Sequence, residues 1–354
     1  MSCFLKKMPG YPGIFFLYHP NCYSTDIFFC KFAYKLKSSK GQIMRIVFMG
    51  TPDFAVESLK ILVENNYEVV GVVTMPDKPA GRGHKIQFSP VKKYALENNL
   101  PLLQPEKLKD ETFLEQLRAL KADLQIVVAF RMLPEVVWNM PPYGTFNLHA
   151  SLLPQYRGAA PINWAIINGE KETGATTFFL THEIDTGKII LQKKIPITEA
   201  DNAGTIHDQL MTMGAGMVKE TVDLLMANQV DAIDQSQFFS DETELKPAPK
   251  IFKDTCKIDF SKSVDAVYNF IRGLSPYPAA WAELVFPNQE EAIPLKIFEA
   301  EREYETHGQP VGTIISDGKK FAKIALKDGY ISLKSVQAPG KKRMEIGELL
   351  RGMR

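Results

Sequence analysis

The chain carries little sulfur chemistry. Its 354 residues include four cysteines, Cys3, Cys22, Cys30 and Cys256, with no C-x-x-C pair and no histidines clustered at metal-ligand spacing. That argues against a disulfide framework and a structural zinc, and fits a reducing compartment. No stretch approaches the roughly 18 apolar residues of a membrane span. A charge excess is missing too. Basic side chains number 42 against 41 acidic, so no global field draws the chain to nucleic acid or lipid. "GTPDFA" follows the first apolar run, but neither G-x-G-x-x-G nor a Walker pattern is present, and a dinucleotide or nucleoside-triphosphate role has little support. Internal repeats and low-complexity segments are absent.

The charge that is present is unevenly placed. Residues 1–43 hold six lysines against one aspartate, residues 44–249 hold 19 basic against 26 acidic groups, and residues 250–354 hold 17 against 14. A polyanion would therefore be gripped by local patches. Residues 1–43 contain an apolar run, Gly13–Tyr18, too short for the core of a signal peptide. They read as a disordered or peripheral extension upstream of a start at Met44.

From Met44 onward, short apolar runs alternate with amphipathic ones. Strands are expected at 44–50, 67–75, 123–130 and 144–150. Helices are expected after Thr51 as cap with Pro52 in the first turn, after the Pro/Gly/basic loop "PDKPAGRGHK", after Pro161, and over 205–228. Such alternation implies an α/β, Rossmann-like domain over 44–232 with a mostly parallel sheet. Residues 233–249, with no apolar periodicity and two prolines, read as a linker. Beyond 250, one helix and several short strands with turn residues between them suggest a small β-barrel.

Within "TFNLHASLLPQYRGAAP", Phe146 and Leu148 alternate with Asn147 and His149. Period two puts Asn147, His149 and Ser151 on one face, at the strand end where open α/β sheets bind ligands. A carboxamide beside an imidazole can hold a developing oxyanion and relay a proton. Asp185, in a turn with Thr186 and Gly187, is the best candidate to set the imidazole's charge. A histidine at a strand end is as readily a structural residue, and spacing alone leaves both readings open. The Asp185-Thr186-Gly187 match to aspartic proteases is a coincidence, since those enzymes need two such carboxylates and the tripeptide occurs once.

The segments "MRIVFMGTPDFAVESL", "MPDKPAGRGHKIQFSPVK", "FNLHASLLPQYRGAAPINWAIINGEKETGAT", "IDTGKII" and "QAPGKKRMEIGELLRG" together resemble the methionyl-tRNA formyltransferase family over about residues 44–352. The resemblance implies a Rossmann-like catalytic domain, a linker, and an OB-like tRNA-binding domain over 250–354. It implies formyl transfer from 10-formyltetrahydrofolate to the α-amino group of methionyl initiator tRNA, without a metal. Asn147, His149 and Asp185 fall on the family's catalytic trio. Ser151, Leu152, Leu153 and Pro154 match its folate-binding stretch, and Arg82 matches an arginine that reaches into the acceptor stem.

An acidic catalytic domain that takes tRNA needs local cations. Lys78, Arg82 and Lys85 supply them on the basic loop, with Lys92 and Lys93 just after it; Lys341, Lys342 and Arg343 add a second cluster. A single cluster of this kind is more often a solvated loop, but two flanking a cleft point to a polyanion. One departure stands out. After "QIVVAF" the family commonly has Gly and one further residue before Leu-Pro, where this chain has Arg131-Met132-Leu133-Pro134. The expected protein is a cytoplasmic monomer. Its rivals are a transferase acting on a small amine, such as a purine precursor or an amino sugar, and a non-catalytic folate- or RNA-binding module.

Overall fold

The computed structural model describes residues 4–7, 15–18, 43–80, 85–287 and 289–353. Within the N-terminal extension, β1 (Phe4–Lys7) and β2 (Phe15–Tyr18) pair antiparallel, Phe4 opposite Tyr18. Aromatic residues favour the extended backbone, which suits the pairing of these two segments of the stretch read as disordered or peripheral. Arg82 lies outside the described residues.

The main sheet has seven strands. β3 (Arg45–Gly50), β4 (Glu68–Val73), β7 (Leu102–Leu103), β8 (Leu124–Val128) and β9 (Thr145–His149) run parallel; β10 (Glu172–Phe179) and β11 (Ile189–Pro196) add two antiparallel strands beyond β9. Both faces are covered, which is why β3 reads as an unbroken apolar run. Ile46 and Phe48 join the core with α1 (Asp53–Glu64) and α6 (Ala203–Met226). Val47 and Met49 join the opposite core with α3 (Glu111–Ala119) and α4 (Glu135–Trp138). Helix α1 starts one residue later than expected: Pro52 is its N-cap, without a side-chain cap bond, and Asp53 is the first helical residue. Proline's fixed φ suits that extended position, so Thr51 is not the cap.

Between β4 and β7 the basic loop forms a short hairpin, β5 (Lys78–Ala80) against β6 (Lys85–Gln87), followed by α2 (Pro90–Glu97). Ser89 caps α2 by accepting from the Lys92 N–H at 3.1 Å. Helix α5 (Pro161–Ile167) follows the loop after β9.

Residues 233–249 are not free. Ala248 is fully buried in the α1/α6 core, its N–H donates to the Arg157 carbonyl, and Gly158 bridges to it. A β-carbon on Gly158, whose φ is +125°, would lie 2.5 Å from the Ala248 carbonyl oxygen. The segment is thus laid along the loop that follows β9.

A second core surrounds α7 (Val264–Leu274), capped by Ser263 and wrapped by a six-stranded antiparallel sheet. The strands are β12 (Ala280–Leu284), β13 (Ile293–Glu303), β14 (Ile314–Ser316), β15 (Ala322–Leu326), β16 (Gly329–Gln337) and β17 (Met344–Glu345). This is the small OB-like half-barrel expected from the short, evenly spaced strands. Helix α7 packs against α5: a β-carbon on Gly273 would meet Ile167 at 2.7 Å, and Asn163 donates to the Gly273 carbonyl at 2.8 Å. Arg272, buried at this junction, donates to the carbonyls of Thr198 and Asp201. No helix among the described residues is long and apolar enough to cross a membrane.

Candidate active site

Strand β9 carries the site because its two faces differ. Phe146 and Leu148 are buried in the α1/α6 core. Asn147, opposite Val127 and Phe178, and His149, opposite Thr176, point to the other face. The strand ends at His149. Ser151 does not extend the alternation, because the chain has turned and its hydroxyl donates to the Gln155 carbonyl at 2.7 Å.

His149 is buried, and its Nε2 lies 2.9 Å from the Tyr156 carbonyl oxygen. A carbonyl only accepts, so Nε2 carries the hydrogen and Nδ1 is left with a lone pair. Nδ1 stands 3.9 Å from Asp185 Oδ2. That gap exceeds a direct hydrogen bond, but it is close enough for the carboxylate to stabilise an imidazolium once Nδ1 takes a proton. Asp185 Oδ2 also accepts from the Gly158 N–H at 2.9 Å.

Asn147 Oδ1 is buried and has no hydrogen-bond partner among the described residues. Leaving such a group unpaired costs about 1–3 kcal/mol, so a substrate hydrogen bond is the natural relief. An amide can accept an amine N–H at one end and donate to a developing oxyanion at the other. The three expected residues therefore converge: two from β9, one from the turn between β10 and β11.

That turn is forced and braced. Asp185 has a φ of +56°, and a β-carbon on Gly187 would fall 1.6 Å from the Phe179 carbonyl oxygen, so only glycine fits there. The brace is Gln235, which sequence reasoning missed because it sits in the stretch read as a linker. It is 2% exposed. Its Nε2 donates to the carbonyls of Asp185 (2.9 Å) and Gly187 (2.8 Å), and its Oε1 accepts from Arg157 Nε (3.1 Å) and Nη2 (2.7 Å). Two donors and two lone pairs are all in use, and one side chain clamps the Asp185 turn to the loop after β9. The only signal in the sequence was a polar residue among aspartates, which spacing cannot distinguish from solvated linker.

A second tie runs through Tyr156, whose carbonyl orients His149. Its hydroxyl donates to Glu170 at 2.5 Å, and Lys246 from the same linker donates to Glu170 at 2.6 Å. Burial pushes the Glu170 carboxyl up, but the hydrogen bonds from Lys246 and Tyr156 outweigh it and hold the group below its ordinary range.

The expected folate stretch is held by its backbone. Buried Thr176 accepts from the Leu153 N–H and donates to the Ser151 carbonyl, and Gln192 donates to the Leu153 carbonyl. Leu153 is packed with Phe178 and Ile189, and Pro154 is buried, which leaves Leu152 partly open. Arg131 turns away from β9: it donates to the carbonyls of Pro105 and Glu106, tying the loop after β8 to the loop after β7.

The basic residues separate into free and engaged. Lys78 and Lys85 lie on the β5–β6 hairpin, and their side chains, like all of Arg82, lie outside the described residues. Lys92 is only 8% exposed and pairs with Asp77 at 2.5 Å, so it is not available to a phosphate; Lys93 is exposed. Lys341 and Lys342 are exposed, whereas Arg343 pairs with Glu299, donates from Nε to Ser335 Oγ at 2.6 Å and lies over the Phe298 ring. Among the described residues no group of three or more His, Cys, Asp or Glu side chains is placed to hold a metal ion.

An amide, an imidazole and a carboxylate thus stand at the end of a mostly parallel sheet whose domain is joined to a half-barrel. Comparison with known proteins supplies the class. The family model "Formyl transferase" matches residues 44–222, and "Formyl transferase, C-terminal domain" matches residues 250–354. The methionyl-tRNA formyltransferase of Bacteroides thetaiotaomicron is 66% identical over 315 residues, covering 89% of this chain and 97% of that protein. Its namesake in Flavobacterium johnsoniae is 58% identical over 310 residues, covering 88% and 96%. The chain belongs to the methionyl-tRNA formyltransferase family. Among solved structures, the sugar 3N-formyltransferase WlaRD, determined in the presence of dTDP and 5-N-formyl-THF, matches with a TM-score of 0.59 at 21% identity, over 85% of this chain and all of that one. An N-formyltransferase from Helicobacter canadensis, in complex with folinic acid and dTDP-3-aminofucose, matches with 0.60 at 22%, over 83% and 99%. At those identities the likeness speaks for the fold.

Proposed function

We propose that this chain transfers the formyl group of 10-formyltetrahydrofolate to the α-amino group of methionyl initiator tRNA, giving N-formylmethionyl-tRNA. The observation that carries the reading is the juxtaposition of an unpartnered Asn147 amide, the free Nδ1 of His149 and the Asp185 carboxylate. Family membership at 66% identity names the reaction.

Attack by the amine nitrogen on the formyl carbon forms a C–N bond and turns the carbonyl oxygen into an oxyanion. Asn147 donates to that oxygen as its charge develops. His149 Nδ1 takes the proton that the nitrogen must lose, and Asp185 Oδ2, 3.9 Å away, stabilises the imidazolium. His149 then returns the proton to the departing folate nitrogen as the C–N bond to the donor breaks. Each proton is accounted for, and the Tyr156 carbonyl keeps the working lone pair on Nδ1 throughout.

In this reading residues 44–232 form the catalytic domain, 233–249 the linker and 250–354 the tRNA-binding domain. Lys78, Arg82 and Lys85 meet the acceptor stem, and Lys341 and Lys342 meet phosphates from the other side. The leucines and proline of Ser151–Pro154 shape the pterin site, with Leu152 the side chain open to it. The protein acts in the cytoplasm as a monomer. The test is a transfer assay with His149→Ala and Asp185→Asn: both should lose turnover while retaining folate binding. Normal turnover in either would overturn the trio.

A further inference from the structure

His149 has two hydrogen-bond acceptors beside its ring and, when neutral, only one N–H to give them. The Tyr156 carbonyl oxygen lies 2.9 Å from Nε2, and Asp185 Oδ2 lies 3.9 Å from Nδ1. A carboxylate is the stronger acceptor. At equal distances Asp185 would draw the hydrogen to Nδ1, and a ring in that form has no lone pair there with which to take a proton. The short contact to Tyr156 is what keeps Nδ1 free.

Local backbone preference does not hold that carbonyl in place. Tyr156 has a φ of +61°, a left-handed conformation that a bulky residue keeps only where its surroundings impose it. Three contacts do so. The Tyr156 N–H donates to the Lys246 carbonyl at 2.7 Å, its carbonyl takes the His149 hydrogen, and its hydroxyl donates to Glu170 Oε1 at 2.5 Å. Burial, and after it the Glu170 carboxylate, push the Tyr156 hydroxyl above its ordinary range, so it stays a donor. The Lys246 ammonium donates to the same Glu170 oxygen at 2.6 Å, and the Lys246 N–H donates to Gln155 Oε1 at 2.8 Å. Lys246 thus grips Tyr156 at both ends, directly at the backbone and through Glu170 at the ring. Its side chain is 51% exposed, and ion pairs that open to water add little stability. What this one does is brace a buried carbonyl.

We propose that Lys246, Glu170 and the Tyr156 hydroxyl form a positioning relay that decides the tautomer of His149: they hold the Tyr156 carbonyl against Nε2–H, so that Nδ1 keeps its lone pair although Asp185 stands beside it. The three act through His149 and touch no reacting atom. Their role rests on His149 being the base of the transfer reaction, as read above. It also ties the setting of that base to the linker, since Lys246 belongs to residues 233–249.

The test uses the full chain carrying Tyr156→Phe, and Lys246→Met as the half-exposed substitution least able to disturb folding, with Lys246→Arg as the conservative variant. The tautomer is read by nitrogen NMR of protein labelled at histidine, the His149 signal being the one absent from His149→Ala. Formylation of methionyl initiator tRNA gives kcat and KM, and titration gives the folate Kd. The wild-type ring should carry its hydrogen on Nε2. In Lys246→Met and Tyr156→Phe the hydrogen should move to Nδ1 and kcat should fall about tenfold, part of what a general base contributes, with KM and folate Kd unchanged. Lys246→Arg should restore both the tautomer and kcat. A wild-type ring with its hydrogen on Nδ1 would overturn the proposal. So would an unchanged tautomer in both variants, whatever their kcat, because a fall in kcat without that change is what a merely structural contact gives. If the wild-type chain transferred no formyl group, the reading of His149 as base would fall, and the tautomer in the variants would still support or overturn the relay.

Discussion

Replacing Gln235 with alanine should disable the active site without touching any group that meets substrate. The substitution removes the two N–H donations to the Asp185 and Gly187 carbonyls and the one acceptor oxygen that takes two hydrogen bonds from Arg157. At a net of about 0.5–1.5 kcal/mol per hydrogen bond, the gross loss is about 2–6 kcal/mol. Arg157 is only half-buried and can recover water, so the donor side dominates, at roughly 2 kcal/mol. That energy holds a turn whose Asp185 has a φ of +56°, a conformation that relaxes when its support goes. If the whole amount maintains the Asp185 carboxylate against His149, kcat falls by about thirtyfold. Single-turnover formylation with saturating donor and methionyl-tRNA is the assay. Gln235→Glu sharpens it, because a carboxylate still accepts from Arg157 but offers no donor to the two carbonyls. It should lose nearly as much kcat as Gln235→Ala while keeping more of the melting temperature. A Gln235→Glu enzyme with wild-type kcat would refute the brace, as would a Gln235→Ala enzyme that is less stable but fully active.

Removing the Asn147 amide by Asn147→Ala should lower kcat by roughly 100- to 1,000-fold with little change in folate affinity, read from steady-state kinetics and folate titration. Gly158→Ala puts a β-carbon 2.5 Å from the Ala248 carbonyl oxygen at a φ of +125°; it should displace residues 246–248, lower the melting temperature and cost activity, and a neutral phenotype would contradict the tight apposition. Glu170 lies below its ordinary value of 4.5 in the folded chain, so its ties to Lys246 and Tyr156 contribute fully above that value and are lost as pH falls through the lower, folded one. The acid limb of the melting-temperature profile should flatten in Glu170→Gln, and an unchanged limb would mean the tie carries no stability.

The sheet was legible because its strands are buried on both faces, and runs such as "RIVFMG" have few other homes. Asn147 and His149 were legible for the opposite reason: two polar residues in phase on an otherwise apolar strand need an explanation. Asp185 could be named because the glycine two residues on marked a turn. What the sequence hid depends on contacts between distant segments. Gln235 meets Asp185 across 50 positions and Arg157 across 78, and no local period records such meetings. Lys92 looked like one more cation of the basic loop until the fold placed Asp77 beside it. Ser151 kept the period but not the strand, because the chain turns after His149 and a hydroxyl one turn on bonds its own loop.

The most direct test of the central claim is a competition assay with 10-formyltetrahydrofolate as donor, offering methionyl initiator tRNA beside a small glycinamide-type or sugar amine. The account predicts rapid formylation of the charged tRNA and none of the small amine, with the transfer abolished in His149→Ala. Transfer to the small amine alone would leave the Asn147–His149–Asp185 chemistry standing and contradict the acceptor assigned to it.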